Sequence, residues 1–338
     1  MSEDNERSRR LIKKLGKLVA ELSSDIDNSE SSEKIGRRKD PSGDVAVCVP
    51  KSLPDQFQLQ AARTAVRYNP LNAPVALGAL RGLDSEGEAP SPARIAVDVK
   101  RYWGPSQRTL TVSFMESTSE ALANKIISHM NAWTKTAGIS FRRTSSGGNV
   151  RITRAQSGYW SYVGTDILHI NPSSATMCLN RFTENTSEGE YRRVVRHEAG
   201  HTLGFPHEHM RQEFVARLDR QKCYEYYGRT QGWSRQMVDQ QVLTPLDKMS
   251  IFSTPPDQTS IMCYQIPGSL TKDGQPILGG SDINRTDYWF AGRIYPKAGA
   301  QSSPEAMLAA LSEDEHAENS VSNTETEDSG FTAQPLEL

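Results

Sequence analysis

Through the middle of the chain the apolar positions change period in a fixed order. Residues 109–115 read as a strand, and Thr118 or Ser119 then caps a helix on which Ala123, Ile126, Ile127 and Met130 recur until Gly138 ends it. Residues 139–143 and 150–155 read as two further strands, parted by the turn segment Ser145-Ser146-Gly147-Gly148-Asn149. A second helix is announced by a capping-box pattern, Ser187 with Glu190, and its apolar face is Tyr191, Val194, Val195 and Leu203. Farther on, 218–227 and 234–243 read as helices, and 287–295 as a closing one capped by Thr286 or Asp287. Ahead of all these, 54–68 has a helical pattern through Phe57, Ala61, Ala62, Ala65 and Val66, halted by Asn69-Pro70.

The helix that follows Ser187 carries the chemistry, in the run His197-Glu198-Ala199-Gly200-His201-Thr202-Leu203-Gly204-Phe205-Pro206-His207-Glu208. Four helical residues turn through about 400°, so His201 lies almost directly above His197 and both imidazoles can face one metal ion. Glu198 follows His197 by about 100°, close enough to hold a water on that metal without ligating it, which makes it the general-base candidate. Gly204 can adopt the left-handed conformation that stops a helix and lets the chain bring His207 back as a third ligand. Three protein ligands leave one tetrahedral position open, the pattern of a catalytic rather than a structural zinc. The alternative, three ordinary polar histidines near a helix end, leaves the full spacing unexplained.

With these residues the sequence resembles the metzincin metallopeptidases and, within them, the astacin-like branch. Phe205 and the Glu208 that follows the third histidine favour that branch over a matrixin-like one. Downstream, Ser260-Ile261-Met262-Cys263-Tyr264 is similar to the methionine turn of the family. The resemblance implies Met262 as the hydrophobic floor beneath the histidines and Tyr264 as the tyrosine that can ligate zinc and swing to stabilise the tetrahedral intermediate. Cys263 stands where the astacin turn usually has histidine; a thiolate is a good zinc donor, but that position is no ligand in the family. Tyr159-Trp160-Ser161-Tyr162-Val163-Gly164 and then 166–171 look like the loop and edge strand that border the metzincin cleft, where an extended substrate pairs; core packing is the alternative for the aromatic loop. The resemblance covers about 101–296 and implies an α+β fold: a twisted mixed sheet and two long helices above a cleft, with an irregular lower half. The activity it implies is zinc-dependent endopeptidase, with one zinc ion and a protein or peptide substrate. A zinc-containing module that binds peptides without cutting them is the alternative, which an intact Glu198 disfavours.

Composition bounds the rest. The chain has 338 residues and a net charge of −2, which gives no sign of a nucleic-acid partner. No apolar run is long enough for a transmembrane anchor, and the first 30 residues lack the apolar stretch of a secretory signal, so a cytoplasmic location, with export by a signal-independent route as the alternative, is the expectation. The sequons at Asn185 and Asn284 carry little weight without such a signal. Cys48, Cys178, Cys223 and Cys263 are too few and scattered for a disulfide scaffold and are expected reduced. Residues 1–44 read as a mostly disordered segment with a short basic amphipathic helix (Leu11, Leu15, Leu18, Leu22), and 45–92 as a small helical accessory or prodomain with its linker. Residues 93–297 then form the catalytic domain. The tail, 298–338, contains no Lys or Arg and reads as acidic and disordered; it and the basic helix are the places for weak partner contacts. Two residues are candidates to quench the zinc from a prodomain: Asp44, which with Gly43 resembles the Gly-Asp of astacin propeptides, and Cys48, a thiolate blocker of the matrixin kind.

Overall fold

Five short strands share one sheet, in the spatial order 139–143, 108–114, 150–153, 177–179 and 159–161. The computed structural model describes residues 48–68, 96–98, 101–246, 251–253 and 256–297, with backbone alone for 96–98 and 251–253. In chain order β1 is Ala96–Asp98, β2 Arg108–Phe114, β3 Ile139–Arg143, β4 Val150–Thr153, β5 Tyr159–Ser161, β6 Met177–Leu179 and β7 Ile251–Ser253. β2 runs parallel to β3 and β4, and β4 to β6, while β5 is antiparallel to β6. β1 and β7 form a separate antiparallel pair. All four residues of β4 are buried, as in an interior parallel strand covered on both faces.

A parallel pair needs a crossover, and α2 (Glu120–Met130) supplies it between β2 and β3. Ser119 caps it by accepting from Leu122 N at 3.1 Å. The α-helix stops at Met130 and tightens into a 3₁₀ segment, Asn131–Lys135, short of Gly138. Gly138 instead secures the end of the domain, since its N–H donates to Tyr295 O at 2.6 Å and a Cβ there would lie 2.4 Å from Pro296 O.

One expected strand is absent. Residues 166–171 do not form the cleft edge; Gly164–His169 is a 3₁₀ helix, and β5, within the predicted aromatic loop, ends the sheet on the side opposite β3. Gly164 turns the chain at φ +52°, where a Cβ would collide with Arg101 O, and buried Asp166 pairs with Arg101 at 2.8 Å. That ion pair and turn override the apolar pattern of Ile167, Leu168 and Ile170. The closing helix α5 (Arg285–Ile294) is capped by Asn284, with Asp287 at the third helical position completing a capping box, rather than by Thr286 or Asp287.

The helix after Ser187, α3, is built of three consecutive pieces: Glu188–Glu190, a π-helical turn Tyr191–Val195, and Arg196–Thr202. Its Tyr191, Val194, Val195, Ala199 and Leu203 join the main core with the sheet and α2. A second core lies below, where Phe214, Leu218, Cys223, Tyr227, Val238, Val242 and Leu243 pack on Cys263, Ile266, Leu270 and Ile277. The two helices predicted there are present, the first as α4 (Arg220–Gln231) and the second as the consecutive pieces Arg235–Val238 and Asp239–Leu243. Met262 belongs to the upper core and Cys263 to the lower one, so the turn that contains them joins the two.

The N-terminal helix α1 (Asp55–Tyr68) buries Ala61 and Ala65, while Phe57 remains exposed. Before it, residues 48–51 lie along the free side of β5 and run parallel to it: Val49 N donates to Tyr159 O at 3.1 Å and Lys51 N to Ser161 O at 3.0 Å. Among the described residues no helix is long and apolar enough to cross a membrane. All four cysteines are free. The basic helix, Asp44 and the acidic tail lie outside the described residues.

Candidate metal centre

α3 is fixed at the end where a helix leaves its carbonyls unpaired. Trp103 Nε1 donates to Thr202 O at 2.8 Å and the Tyr295 hydroxyl donates to Leu203 O. Trp133 Nε1 donates to Arg196 O at 2.8 Å, nearer the start of the same piece. Gly204 then takes φ +98°, a conformation that costs a side-chain-bearing residue dearly, and its N–H donates to His201 O at 2.8 Å. The chain reverses there, as the sequence predicts, and returns His207 to the helix.

The three imidazoles converge. His197 Nε2 lies 3.2 Å from His207 Nε2, and His201 Nε2 lies 3.1 Å from the same atom. Those separations approach the edge of a tetrahedron with zinc–nitrogen bonds of about 2.0–2.1 Å, which is about 3.3 Å. The opposite nitrogens of two of the rings are committed: His197 Nδ1 donates to Ile261 O at 2.6 Å and His201 Nδ1 to Phe205 O at 2.7 Å, leaving their Nε2 atoms as lone-pair donors. Burial pushes His197 down to about 4, and burial with mutual repulsion among the rings pushes His201 and His207 well below the histidine range. Neutral imidazoles with their lone pairs turned inward fit a metal ion. A fourth donor stands beside them, because buried Cys48 Sγ is 3.5 Å from His201 Nε2 and all four ligand atoms lie within 4.8 Å of one another.

Around this group stand the other residues singled out by sequence. Glu198 is buried, and among the described residues neither carboxylate oxygen has a hydrogen-bond partner; burial pushes the carboxyl up to about 8 against the pull of Cys48 and Arg193. Tyr264 places its ring 4.2 Å from that of His207, and its hydroxyl likewise has no partner. Met262 packs under α3 at Gly200, where a Cβ would meet its Sδ at 2.5 Å. Glu208 is no ligand: its N–H donates to Met262 O at 2.8 Å, and its Oε1 accepts from Asp257 N at 3.2 Å and pairs with Arg211 at 3.4 Å. It clasps the third-ligand turn to the methionine turn. Asp287 holds that turn from the other side, accepting from Ser260 Oγ at 2.7 Å and Ile261 N at 2.9 Å. Cys263 stands outside the four-donor group, in the lower core.

His209 is a residue that the pattern does not single out. Its ring stacks on Tyr264 at 4.2 Å and 13°, and its Nε2 donates to Gln241 O at 3.0 Å. Its position two residues past His207 is the one available signal. Cys48, by contrast, is one of the two candidate blockers named from the sequence, and the fold brings it to the histidines although no motif surrounds it.

A mixed sheet with α3 beneath it, three inward-facing imidazoles and a methionine turn define a zinc metallopeptidase. The sequence model of the astacin peptidase family matches residues 96–276, and the chain belongs to that family. Among solved structures, myroilysin aligns with a TM-score of 0.56 at 30% identity, covering 60% of this chain and 98% of that one. A hatching-enzyme zinc protease from the medaka fish Oryzias latipes, high choriolytic enzyme 1, aligns with a TM-score of 0.40 at 18% identity, covering 58% of this chain and 95% of that one. No curated protein matched. The family's enzymes use zinc, and the His/Cys group here is positioned to bind one metal ion. Astacin rather than matrixin is therefore the branch.

Proposed function

We propose that this chain is a zinc-dependent endopeptidase held in a latent form by its own N-terminal segment, with His197, His201 and His207 as the zinc ligands. What supports the reading is the convergence of three neutral imidazoles beside an unpartnered, buried Glu198. Zinc, when bound, polarises the scissile carbonyl and acidifies the attacking water. The Glu198 carboxylate takes the water's proton and delivers it to the leaving nitrogen. The Tyr264 hydroxyl donates to the carbonyl oxygen as negative charge gathers there. The substrate pairs as an added strand along the free side of β5.

In the described state that side is occupied by residues 48–51, and Cys48 Sγ fills the approach to the histidines. With a metal bound, Cys48 would supply a fourth donor beside the three histidines, the closed arrangement of a structural zinc site. Residues 45–92 are accordingly the prodomain and 93–297 the catalytic domain.

The test compares the full chain with Glu198→Gln, each activated by limited proteolysis, on a peptide blocked at both ends. Both are expected to hold one zinc, and the variant to lose internal cleavage by roughly 100-fold or more. Comparable hydrolysis by the variant overturns the role of Glu198. Binding without cleavage by the activated parent favours a non-catalytic peptide-binding module, and trimming of unblocked ends alone excludes an endopeptidase.

A further inference from the structure

The occupant of the β5 edge reveals a second recognition element, away from the metal. Lys51 extends its ammonium over the face of the Trp160 indole, with Nζ 3.6 Å from a ring centroid. Tyr162 meets the same indole edge-on at 6.2 Å and 86°, and Ala175 and Cys178 back it. Among the described residues no carboxylate pairs with Lys51, so the aromatic face is what receives its charge. Loss of hydration pushes the ammonium's pKa down, a cost that a ring face beneath the charge offsets.

The position of this contact along the edge is set by the strand. Cys48 bridges to Tyr159 and Lys51 to Tyr162, so the cation lies three residues beyond the one that faces the histidines, about 10 Å along an extended chain. The segment runs parallel to β5, the less stable direction of pairing per residue. A substrate that pairs antiparallel to β5 places its amino-terminal side toward Ser161 and Trp160. The outer edge of β5 supplies backbone pairing alone, and a peptide strand of any sequence satisfies that. At this distance the side chain that meets the edge occupant's cation is Trp160.

We propose that Trp160, once residues 48–51 have left, is a cation subsite that favours lysine or arginine about three residues to the amino-terminal side of the scissile bond. The inference rests on the endopeptidase reading and deepens it: Lys51 is the prodomain's stand-in for a basic substrate side chain. Cation–π contacts that are partly desolvated correspond to roughly 2- to 30-fold in an equilibrium or rate constant. The selectivity expected is of that order.

The experiment uses the full chain activated by limited proteolysis and paired peptides that differ only by lysine or norleucine at the positions flanking the cleaved bond. Lysine at the third position is expected to raise kcat/KM roughly 2- to 30-fold over norleucine. Trp160→Leu is expected to bring that ratio to about one and Trp160→Tyr to retain part of it, with thermal unfolding confirming that each variant is folded. In the unprocessed chain, Lys51→Met is expected to raise basal hydrolysis by a similar factor. Equal cleavage of both peptides by a folded parent enzyme overturns the subsite, as does a ratio that Trp160→Leu leaves intact. If neither peptide is cut, it is the endopeptidase reading that fails.

Discussion

Replacing Gly200 by alanine sets helix preference against packing at the centre of the metal site. On an open helix the change gains about 1 kcal/mol, because glycine loses more backbone freedom than alanine. In this fold the added Cβ would lie 2.5 Å from Met262 Sδ, 3.1 Å from Trp133 Cζ2 and 3.3 Å from Met262 Cε. Neither neighbour can retreat into solvent: Met262 and Trp133 are both fully buried, and Trp133 is tethered to Arg196 O. Overpacking of this kind costs about 1–3 kcal/mol, so the net effect is a loss of about 0–2 kcal/mol. At about 2–4 °C per kcal/mol for a domain of this size, calorimetry should show Tm lowered by as much as about 8 °C. His201 is the next residue along α3 and Met262 lies two residues before Tyr264, so the same displacement should weaken zinc retention against a chelator. Adding Met262→Ala removes the obstruction, and the double-mutant cycle should show favourable coupling above about 0.5 kcal/mol. A Gly200→Ala protein more stable than its parent with unchanged zinc retention, or a cycle without coupling, would refute the claim that Met262 dictates glycine here.

Three further outcomes follow from the same geometry. Cys48→Ala in the full chain is expected to give measurable hydrolysis without processing, assayed on an unfolded protein; a fully latent variant would show that the strand 48–51 suffices without its thiol. His201→Ala is expected to lose zinc by metal analysis of the purified protein, and retention of one equivalent would reject it as a ligand. Asp287→Asn keeps shape but presents an amide to donors from Ser260, Ile261 and Asn284, so stability should fall by about 1–3 kcal/mol, read from denaturant midpoints; an unchanged midpoint would refute a structural role for that carboxylate.

What was legible in the sequence is what local spacing encodes. The pair His197 and His201 needs only a helix to face one point, and Gly204 needs only its own φ to turn the chain. β2, β3 and β4 were readable because apolar runs end at turn residues. β6 was not, since three residues, Met177–Leu179, carry no period and are strand only because β4 and β5 flank them. Residues 166–171 misled for the opposite reason, an apolar run whose geometry is decided by Arg101, some sixty residues earlier. Cys48 shows the limit most clearly: a lone cysteine without a motif reaches His201 only through the pairing of its neighbours with β5. His209 is similar, a buried ring whose meaning comes from the Tyr264 stacked on it.

The closeness of Cys48 Sγ to the histidines has a reciprocal side. Whatever free energy a metal gains from a fourth donor is the free energy by which that metal holds residues 48–51 against β5, because binding linkage is symmetric. Loading and docking are then one equilibrium viewed from two ends. In the proposed latent form, a chain rich in zinc grips its own segment harder, while one starved of zinc holds it only by the β5 pairing and the Lys51–Trp160 contact and has nothing with which to cut. The scarcity of the ion loosens the restraint only where the activity it restrains is also missing, and the protein needs no separate device to match the two.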